Sequence, residues 1–332
     1  MPAEAVDRFV IRQYRPGDET PILELFARSF HQPRRPEEWR WKYERNPYGL
    51  HRISVACIEP DMLVGHYAGY PVRFCAFGRT IEANQIGDTM TAPSVRHIGR
   101  GPSSVLGRTA GHFYETFCEG RVAFNYGFNV SNIQRFSLRF LRSARVEPVA
   151  YRVAQKARLR PIGRLERWAR GLQFVLTTTV DAEWDALFAR LAPHYRFLLE
   201  RDARYVTWRY LSPPQTPYVV VAIRKWRTLV GWLVFRIRDK RMSIGDLLLD
   251  PAHGDALEAA LRHLAQVYPV ESIDGWFPPR PAWLDDALVA SGLERRPEPQ
   301  DLSLMCVPFT WPDAAAEMAR SLYYTMGDGD LF

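Results

Sequence analysis

Apolar and polar positions form blocks along the chain, and two distant blocks follow nearly the same pattern. The segment VACIEPDMLVGH, which starts at Val55, is a β-rich run, a polar break and then Leu-Val-Gly. The segment VAIRKWRTLVGW, which starts at Val221, has the same order. In both segments an alanine stands nine residues before a glycine. Each pattern predicts a strand, a turn and a second strand.

Other short matches occur in the same order around these segments. They are Trp41-Lys42-Tyr43 with Trp208-Arg209-Tyr210, Ile86-Gly87-Asp88 with Ile244-Gly245-Asp246, Tyr126-Gly127-Phe128 with Asp274-Gly275-Trp276, and Ser143-Ala144 with Ser291-Gly292. Pro93 and Pro251 follow the two Ile-Gly-Asp triplets at equal distance. Matches in one order indicate an internal repeat of about 160 residues. We therefore predict an α/β chain, of the α+β type, with two copies of one unit.

The repeat sets the expected domain organisation. The first domain is predicted at 1–150 and the second at 173–312. A basic linker is expected between them at 151–172, because residues 151–173 hold seven Lys or Arg and one Glu. Residues 313–332 are predicted to form a C-terminal helix and an acidic tail.

Composition narrows the class of protein. The chain has 332 residues, a formal net charge of +7 and ten tryptophans, which is enough apolar bulk for two cores. No run approaches the roughly 20 apolar residues of a membrane helix, and no secretory pattern opens the sequence. Four cysteines without a CxxC pair favour reduced thiols in a cytoplasmic protein. The positive charge favours an anionic partner.

The two copies differ in sequence on both sides of the matched prolines, Pro93 and Pro251. The first is eight residues longer around PVRFCAFGRTI, which predicts a hairpin. After the proline it has RHIGRGPSS, from Arg96 to Ser104, before a predicted helix from near Pro102 to near Phe117, whereas the second copy has AHGDALEAAL. Glycines let a backbone approach a ligand, and free N–H groups at a helix start bind anions. This loop is therefore predicted to hold a ligand such as a diphosphate.

The spacing Arg96-x-x-Gly99-x-Gly101, after a strand and before a helix, resembles the pyrophosphate loop of the GNAT acetyltransferase superfamily. It does not match the GxGxxG of a Rossmann fold or the Gly-Lys-Ser/Thr ending of a P-loop. The resemblance covers roughly residues 9–150 well and 172–310 loosely, as in a tandem GNAT protein with a degenerate second half. It implies mixed, splayed, mostly antiparallel sheets flanked by helices, and acetyl-CoA or another acyl-CoA without a metal.

The resemblance also implies where the acyl-CoA lies. In that family the pantetheine arm pairs with the strand before the loop, and the pyrophosphate lies on loop amides. The implied cofactor-binding residues are Thr91, Ala92, Val95, Arg96, His97, Gly99, Arg100, Gly101, Ser103, Ser104 and Asn132. Pro102 has no N–H, so Ser103 or Ser104 is expected to replace it as a donor.

Transfer to an amine needs a deprotonated acceptor, a polarised thioester and a proton for the leaving thiolate. The resemblance places the family's usual acid, a tyrosine, at Phe140 or Arg139, so that acid is absent. Tyr126 is the alternative acid, unless it is only a half-buried strand aromatic. Asp88 is the candidate base, but its counterpart Asp246 lies in the copy without a loop, which favours a structural role.

Further candidates come from the polar residues and the chain end. Some multi-domain GNAT enzymes use a C-terminal carboxylate as the base, and the resemblance extends this hypothesis to Phe332; the alternative is a frayed terminus. No acidic or His-rich cluster has ligand spacing, so no metal site is predicted. Amides that lack counterparts in the second copy are candidates to orient the acceptor substrate: Asn84, Gln85, Asn125 and Asn129.

The leading prediction is an acyl-CoA-dependent N-acyltransferase for a small amine, such as an amino sugar or an amino-acid derivative. One alternative is an acyl carrier protein as donor through the same groove, and another is a non-catalytic acyl-CoA-binding protein. Nucleic acid is disfavoured because the arginines are scattered. The basic segment is either a solvated connector or the docking surface for an acidic carrier protein, formed by Arg152, Lys156, Arg158, Arg160, Arg164, Arg167 and Arg170.

Overall fold

A computed structural model describes residues 9–58, 62–215 and 217–332, without the side chains of residues 131 and 132. The chain forms two compact units. Unit 1 consists of Met1–Arg73, Ile81–Glu147 and Leu302–Glu317. Unit 2 consists of Phe74–Thr80, Pro148–Asp301 and Met318–Phe332. Neither unit is one continuous stretch of sequence.

Strands account for most of both cores. The strands of the described residues are β1 (Phe9–Gln13), β2 (Arg52–Ile58), β3 (Met62–Ala76), β4 (Arg79–Thr91), β5 (Phe124–Asn129), β6 (Ala144–Pro148), β7 (Tyr151–Gln155), β8 (Leu172–Thr177), β9 (Phe197–Leu199), β10 (Val219–Lys225), β11 (Thr228–Arg238), β12 (Arg241–Leu249), β13 (Ser272–Trp276), β14 (Glu294–Arg296), β15 (Ser303–Pro308) and β16 (Leu322–Tyr323).

Helices flank the sheets with amphipathic faces. The α-helices of the same residues are α1 (Glu19–Phe30), α2 (Pro36–Tyr43), α3 (Val105–Phe117), α4 (Ser131–Phe140), α5 (Arg164–Ala169), α6 (Ala182–Tyr195), α7 (Ala203–Val206), α8 (Asp255–Val267), α9 (Ala282–Ala290) and α10 (Ala314–Ser321). Short 3-10 turns include Gly101–Ser103, directly before α3, and Pro251–His253, directly before α8.

The unit 1 sheet has the strand order β1-β2-β3-β4-β5-β15-β6. β4 and β5 run parallel, and their described ladder has two rungs, Asn84 with Asn125 and Gln85 with Tyr126. β4 continues to Thr91 and β5 to Asn129. Because the ladder stops before either strand ends, the two strands open away from each other beyond Gln85 and Tyr126.

The unit 2 sheet has the strand order β14-β7-β13-β12-β11-β10-β8. β12 and β13 are parallel from Arg241–Ser272 to Ile244–Gly275. β10 and β11, like β2 and β3 in unit 1, form an antiparallel pair with a register shift. The end of β3, Phe74–Ala76, pairs with β9, which also pairs with β16. The predicted fold class is confirmed: mixed, mostly antiparallel sheets flanked by helices.

The predicted local elements are found with small shifts. The strands of the two repeated segments are β2 with β3 and β10 with β11, and the polar break at residues 59–61 lies outside the described residues. The extra hairpin of the first copy extends β3 and β4 to a turn at Phe77 and Gly78, where φ is 51° and 77°. Helix α3 begins at Val105, later than predicted, because Gly101–Ser103 forms a 3-10 turn and Ser104 is the N-cap.

The compact units are assembled from separate stretches of sequence: unit 2 includes Phe74–Thr80 and β7, which lies in the predicted linker, and unit 1 includes β15. β7 belongs to unit 2 and lies between β13 and β14. β15, inside the predicted second domain, lies in unit 1 between β5 and β6. The predicted linker is β7, a 3-10 turn and α5. Arg152, predicted as part of the docking surface, is buried in β7 and pairs with Asp285, so that part of the prediction is wrong. An apolar run predicts a strand but not its neighbour in the sheet, so the pattern does not predict the sheet to which β7 or β15 belongs.

Candidate active site

The last rungs of the β4–β5 ladder carry a buried network of amide and phenol groups. Oη of Tyr70 donates to Oε1 of Gln85 over 2.5 Å, and Oη of Tyr126 donates to the same oxygen over 3.3 Å. Nδ2 of Asn84 donates to Oδ1 of Asn125 over 2.9 Å. All five side chains are buried. The structure thus brings together three predicted substrate residues and the predicted acid, and their mutual bonds fix the amides in place.

A small cavity lies where β4 and β5 open. Its volume is about 30 Å³, room for about two water molecules. Its walls include Tyr67, Tyr114, Tyr126, Asn129, Ser137 and Ser143. Asn129, the fourth predicted substrate residue, therefore shares this cavity with the predicted acid.

Two tyrosines that the sequence did not indicate meet at this cavity. The hydroxyls of Tyr67 and Tyr114 are 3.1 Å apart, and Oη of Tyr114 donates to the carbonyl of Leu141 over 3.3 Å. Burial raises the pKa of both phenols above the usual range. Each therefore stays protonated at neutral pH. In the sequence Tyr114 falls on the apolar face of α3, where the pattern indicates only a core residue.

The predicted phosphate loop turns tightly between β4 and α3. Gly99 and Gly101 have φ of 69° and 56°, the left-handed region. A Cβ on Gly99 would overlap the carbonyl of Ser103, and one on Gly101 would lie 2.7 Å from the ring of Phe140. Backbone conformation and close packing both require glycine at these two positions.

Part of the loop backbone is left free to bind a ligand. Within the described residues, the N–H groups of His97, Gly99 and Gly101 donate to no protein acceptor. The side chains of His97 and Arg100 are exposed beside them. A row of free N–H groups next to cationic side chains and a helix start suits an anion.

The two serines of the loop are used within it, which differs from their expected role as ligand donors. The hydroxyl of Ser103 donates to the carbonyl of Arg100 over 2.9 Å. The hydroxyl of Ser104 accepts from the N–H of Gly107 over 3.1 Å and donates to the carbonyl of Gly101 over 2.6 Å. Ser104 therefore caps α3 and fixes its start.

The other predicted cofactor residues lie along the end of β4. Nε of Arg96 donates to the carbonyl of Thr91 over 3.0 Å, and Ala92 and Val95 are buried. Oγ1 of Thr91 is buried and has no hydrogen-bond partner among the described residues. Asn132 lies in α4, but its side chain is outside the described part of the structure.

A groove of about 470 Å³ runs along α3 beside the end of the loop. Gly107 and Gly111 are four residues apart, so one face of α3 carries no side chains there. The space at Gly111 is open. Arg108, Glu115, Glu119 and Arg142 line the same groove, and Arg142 pairs with Glu119 over 3.1 Å. The Gly107-x-x-x-Gly111 spacing is the sequence signal that indicates this groove.

Residues 10–137 match the family model of the acetyltransferase (GNAT) domain. This segment contains β1 to β5 and most of α4, and therefore the opening, the network and the loop. No curated protein sequence shows a significant match to the chain.

Solved structures of acetyltransferases share the fold at low identity. A GCN5-related N-acetyltransferase from Anabaena variabilis ATCC 29413 has a TM-score of 0.67 at 13% identity, covering 90% of this chain and 72% of that one. One from Kribbella flavida has 0.66 at 15%, covering 96% and 75%. Eis1 from Mycobacterium abscessus has 0.58 at 17%, covering 94% and 76%.

Within the GNAT-matched segment, Asp88 is the centre of a buried ion cluster. Its carboxylate accepts from Arg34, from Nζ of Lys42 at 3.0 Å and from Oη of Tyr43 at 2.6 Å. Burial alone would raise the pKa of Asp88, but Arg34 and Lys42 outweigh burial and hold it well below the usual range. A carboxylate that is so hard to protonate is a poor general base, so the geometry favours the structural interpretation.

His66 of the same segment supports Asp88 from the backbone side. Its Nδ1 is 2.7 Å from the carbonyl oxygen of Asp88, which has a positive φ of 52°. Burial lowers the pKa of His66 to about 4, so the ring is neutral at physiological pH. The neutral ring donates to that carbonyl and stabilises the left-handed backbone conformation of Asp88 within β4.

The structure places the remaining catalytic candidate, Phe332, in unit 2. Its ring stacks on Tyr218 at 5.1 Å between centroids, and a Cβ on Gly245 would overlap it. Its carbonyl oxygen accepts from Arg209 at 3.0 Å and Tyr218 at 2.8 Å. This oxygen is therefore already held by donors of its own unit, and its role as a base stays a prediction.

Two further findings bear on cofactors and membranes. The described side chains contain no group of three or more His, Cys, Asp or Glu that is arranged to hold a metal ion. No helix in the described ranges is both long enough and apolar enough to cross a bilayer.

Proposed function

We propose that this chain is an acyl-CoA-dependent N-acyltransferase, in the simplest case an N-acetyltransferase, for a small amine such as an amino sugar or an amino-acid derivative. The observation that carries the proposal is the loop at Gly99 and Gly101. Its free N–H groups follow directly on the strand that opens from β5, within the segment that matches the GNAT domain.

The residues present fit an acyl-CoA, which would supply an activated acyl thioester. The free N–H groups of the loop, with Arg96 and Arg100, suit a diphosphate. In the groove along α3, Arg108 is the candidate contact for the anionic nucleotide end. The buried Oγ1 of Thr91 lies at the end of β4, where a polar chain entering the opening would find a donor.

Two phenols are candidates to hold the proton that the leaving thiolate needs. Tyr126 and Tyr114 line the same small cavity, and both are buried. We expect one of them to act as the acid. Replacing the acid by phenylalanine should lower kcat about a hundredfold or more while the Kd of acetyl-CoA stays within about twofold. If neither Tyr126→Phe nor Tyr114→Phe lowers kcat, the acid lies elsewhere.

Calorimetry with acetyl-CoA tests the binding half of the proposal. The double variant Arg96→Ala with Arg100→Ala should weaken binding about tenfold or more, since charge-assisted phosphate contacts are lost. The matched control, Arg45→Ala with Arg79→Ala, removes two exposed arginines outside the loop and should bind normally. Absence of binding to acetyl-CoA, longer acyl-CoA and CoA alike would overturn the proposal.

Thiol release with a panel of amines tests the catalytic half. Release that depends on both acyl-CoA and an amine is the expected result. Binding without any release would favour the non-catalytic acyl-CoA-binding alternative. A second donor, an acyl carrier protein, is favoured by one observation, the exposed basic and aromatic surface of α5 in unit 2.

We also propose that unit 2 is a degenerate relative of the GNAT-matched segment. Its strands β10 to β13 repeat the order and directions of β2 to β5 where both are described. Its Asp246 accepts from Tyr210 over 2.7 Å, as Asp88 accepts from Tyr43. It lacks the glycine loop, and we expect it to bind no acyl-CoA.

A further inference from the structure

The most exposed large apolar side chains of the described residues lie side by side on one short helix. Leu165 is 81% exposed and Trp168 is 72% exposed, and both belong to α5. They are three residues apart, so they lie on the same face of the helix. Exposure of a large apolar side chain to water is unfavourable, and a cluster of such side chains marks an interaction site.

Cations surround these two residues. Residues 156–170 contain six Lys or Arg and one Glu, a formal charge of +5. Arg158 pairs with Glu294, whereas the described contacts give the side chains of Arg160 and Arg164 no acidic partner. Arg160, Arg164, Leu165 and Trp168 together are called the α5 patch below.

The segment that carries the α5 patch is held in a fixed conformation. Arg262 of α8 donates to the carbonyls of Arg160 at 2.7 Å and Pro161 at 2.8 Å, and to Glu166 at 2.9 Å. Ile162 is buried and its N–H donates to Gln266 over 3.2 Å. A merely solvated connector has no need of such anchors, whereas a docking surface gains affinity from being preorganised.

A groove of about 510 Å³ adjoins the α5 patch. Its charged lining residues are Arg158, Arg160 and Arg262 with Glu166 and Glu258, and the turn Ala290–Gly292 completes it. Arg262 pairs with both glutamates, so the groove keeps an excess of positive charge next to a projecting apolar pair, which fits an acidic side chain beside an apolar one.

From these observations we infer that the α5 patch is the docking site for an acidic carrier protein that presents its acyl group on a phosphopantetheine arm. This inference rests on the proposed acyltransferase function. Negative residues on such a partner would pair with Arg160 and Arg164, and an apolar residue would cover Leu165 and Trp168. Charge complementarity of this kind steers association and makes it sensitive to salt.

Two other occupants fit less well. A second copy would bring one surface of charge +5 against another, which costs free energy. An anionic membrane fits less well because a helix of six residues inserts little apolar surface compared with membrane-binding amphipathic helices.

The test uses the full chain and a purified acyl carrier protein charged with an acetyl group. Binding is measured by fluorescence anisotropy at low and at high salt. We expect Arg160→Glu with Arg164→Glu, and separately Leu165→Ser with Trp168→Ser, each to weaken binding about tenfold or more. Raising the salt concentration should weaken the wild-type complex and have less effect on the charge-reversal variant.

A matched control is present at the other end of the unit 2 sheet. Ile237 is 37% exposed next to the exposed Arg238, by the β11–β12 turn, whereas α5 precedes β8 at the end where Leu172 pairs with Lys225. Ile237→Ser with Arg238→Glu makes one change of each kind, apolar to serine and arginine to glutamate, and should bind the carrier normally. Equal weakening by this control would overturn the inference, because it would show a general charge effect.

Acetyl-CoA turnover separates this inference from the proposed function. Both patch variants should keep wild-type kcat and KM with acetyl-CoA and lose transfer from the carrier alone. No carrier binding by the wild type, with normal turnover of acetyl-CoA, overturns the docking site and leaves the proposed function standing. Loss of phosphatidylserine vesicle binding or of self-association in the patch variants, without any carrier binding, overturns it in favour of a membrane or of a second copy.

Discussion

Each unit contains a buried aspartate that accepts hydrogen bonds from an arginine and a tyrosine, but the segments that follow the two clusters differ. In unit 1 Asp88 accepts from Arg34 and Tyr43, which are nine residues apart. In unit 2 Asp246 accepts from Arg201 at 2.9 Å and Tyr210 at 2.7 Å, also nine residues apart. A cluster that is kept where no phosphate loop exists serves the fold. This comparison weakens the case for Asp88 as a base.

The ion cluster is common to both units, but the segments that follow it, at Pro93 in unit 1 and Pro251 in unit 2, differ. In unit 2 Asp250 accepts from the N–H of Ala252 over 2.9 Å and pairs with Arg190. The unit thus supplies its own carboxylate to its own helix start. In unit 1 the position before the matching proline is Ala92, and the N–H groups of the loop stay free. The comparison shows that backbone N–H groups stay available where the chain does not supply a carboxylate of its own.

The largest effect is expected from breaking the unit 2 cluster. Arg201→Met leaves Asp246 and Asp328 buried together without their cation. The free energy of unfolding should fall by about 3–5 kcal/mol, measured by urea denaturation with tryptophan fluorescence. Lys240→Met is the control, because its pair with Glu271 is exposed. A loss no larger than that of the control would show that the cluster adds nothing to stability.

The next effect concerns pH and distinguishes the two clusters. Burial and the neighbouring Asp246 outweigh Arg201 and raise the pKa of Asp328 to about 6. Between the unfolded pKa, near 4, and about 6, the folded state binds this proton and the unfolded state does not. Wild type should therefore lose about 2 kcal/mol of stability relative to Asp328→Asn as pH rises from 4 to 7.

For Asp88 the dependence of stability on pH runs in the opposite direction, so this residue is the comparison for the measurement on Asp328. Its pKa is lowered, so its contribution to stability is present above the unfolded pKa and is lost as pH falls. Relative to Asp88→Asn, wild type should lose stability toward acid pH. Parallel pH profiles for Asp88→Asn and Asp328→Asn would contradict the contrast between the units.

The role of Asp250 can be tested by introducing its counterpart into unit 1. Ala92→Asp gives unit 1 the carboxylate that Asp250 supplies in unit 2, and Ala92→Asn changes the size without the charge. The aspartate should weaken acetyl-CoA binding about tenfold more than the asparagine does, because a fixed negative charge competes with the diphosphate. Calorimetry measures both, and equal affinities would mean that the loop does not bind the anion.

The smallest effect tests the cap that shapes the loop. Ser104→Ala removes the hydroxyl that accepts from Gly107, and should cost about 1 kcal/mol of unfolding free energy. Ser104→Gly should lower the unfolding free energy by only a few tenths of a kcal/mol. Thermal unfolding measures both, with Ser94→Ala, at an exposed position, as the control. Identical losses for the two Ser104 variants would argue against a capping role.

Local features of the fold and the site could be predicted from the sequence, and their long-range partners could not. The paired strands, the extra hairpin and the glycine loop follow from patterns that span about ten residues. The bond between Gln85 and Tyr126 and the meeting of Tyr67 with Tyr114 depend on sheet register and helix packing. Their residue types indicate only core positions. The matched triplets that contain Tyr43 and Asp88 were the signs of the ion cluster in the sequence.

The position of β15 in the unit 1 sheet has a consequence for synthesis on the ribosome. In the described ladder β5 has two rungs with β4, and its other edge is covered by β15, which follows about 175 residues later. Until Pro308 has left the exit tunnel, the nascent chain exposes a strand edge of buried residues, FNYGF, which is prone to pair with other chains. Unit 1 therefore finishes folding after most of unit 2 has been made, and a fragment that ends at residue 150 would keep that edge open.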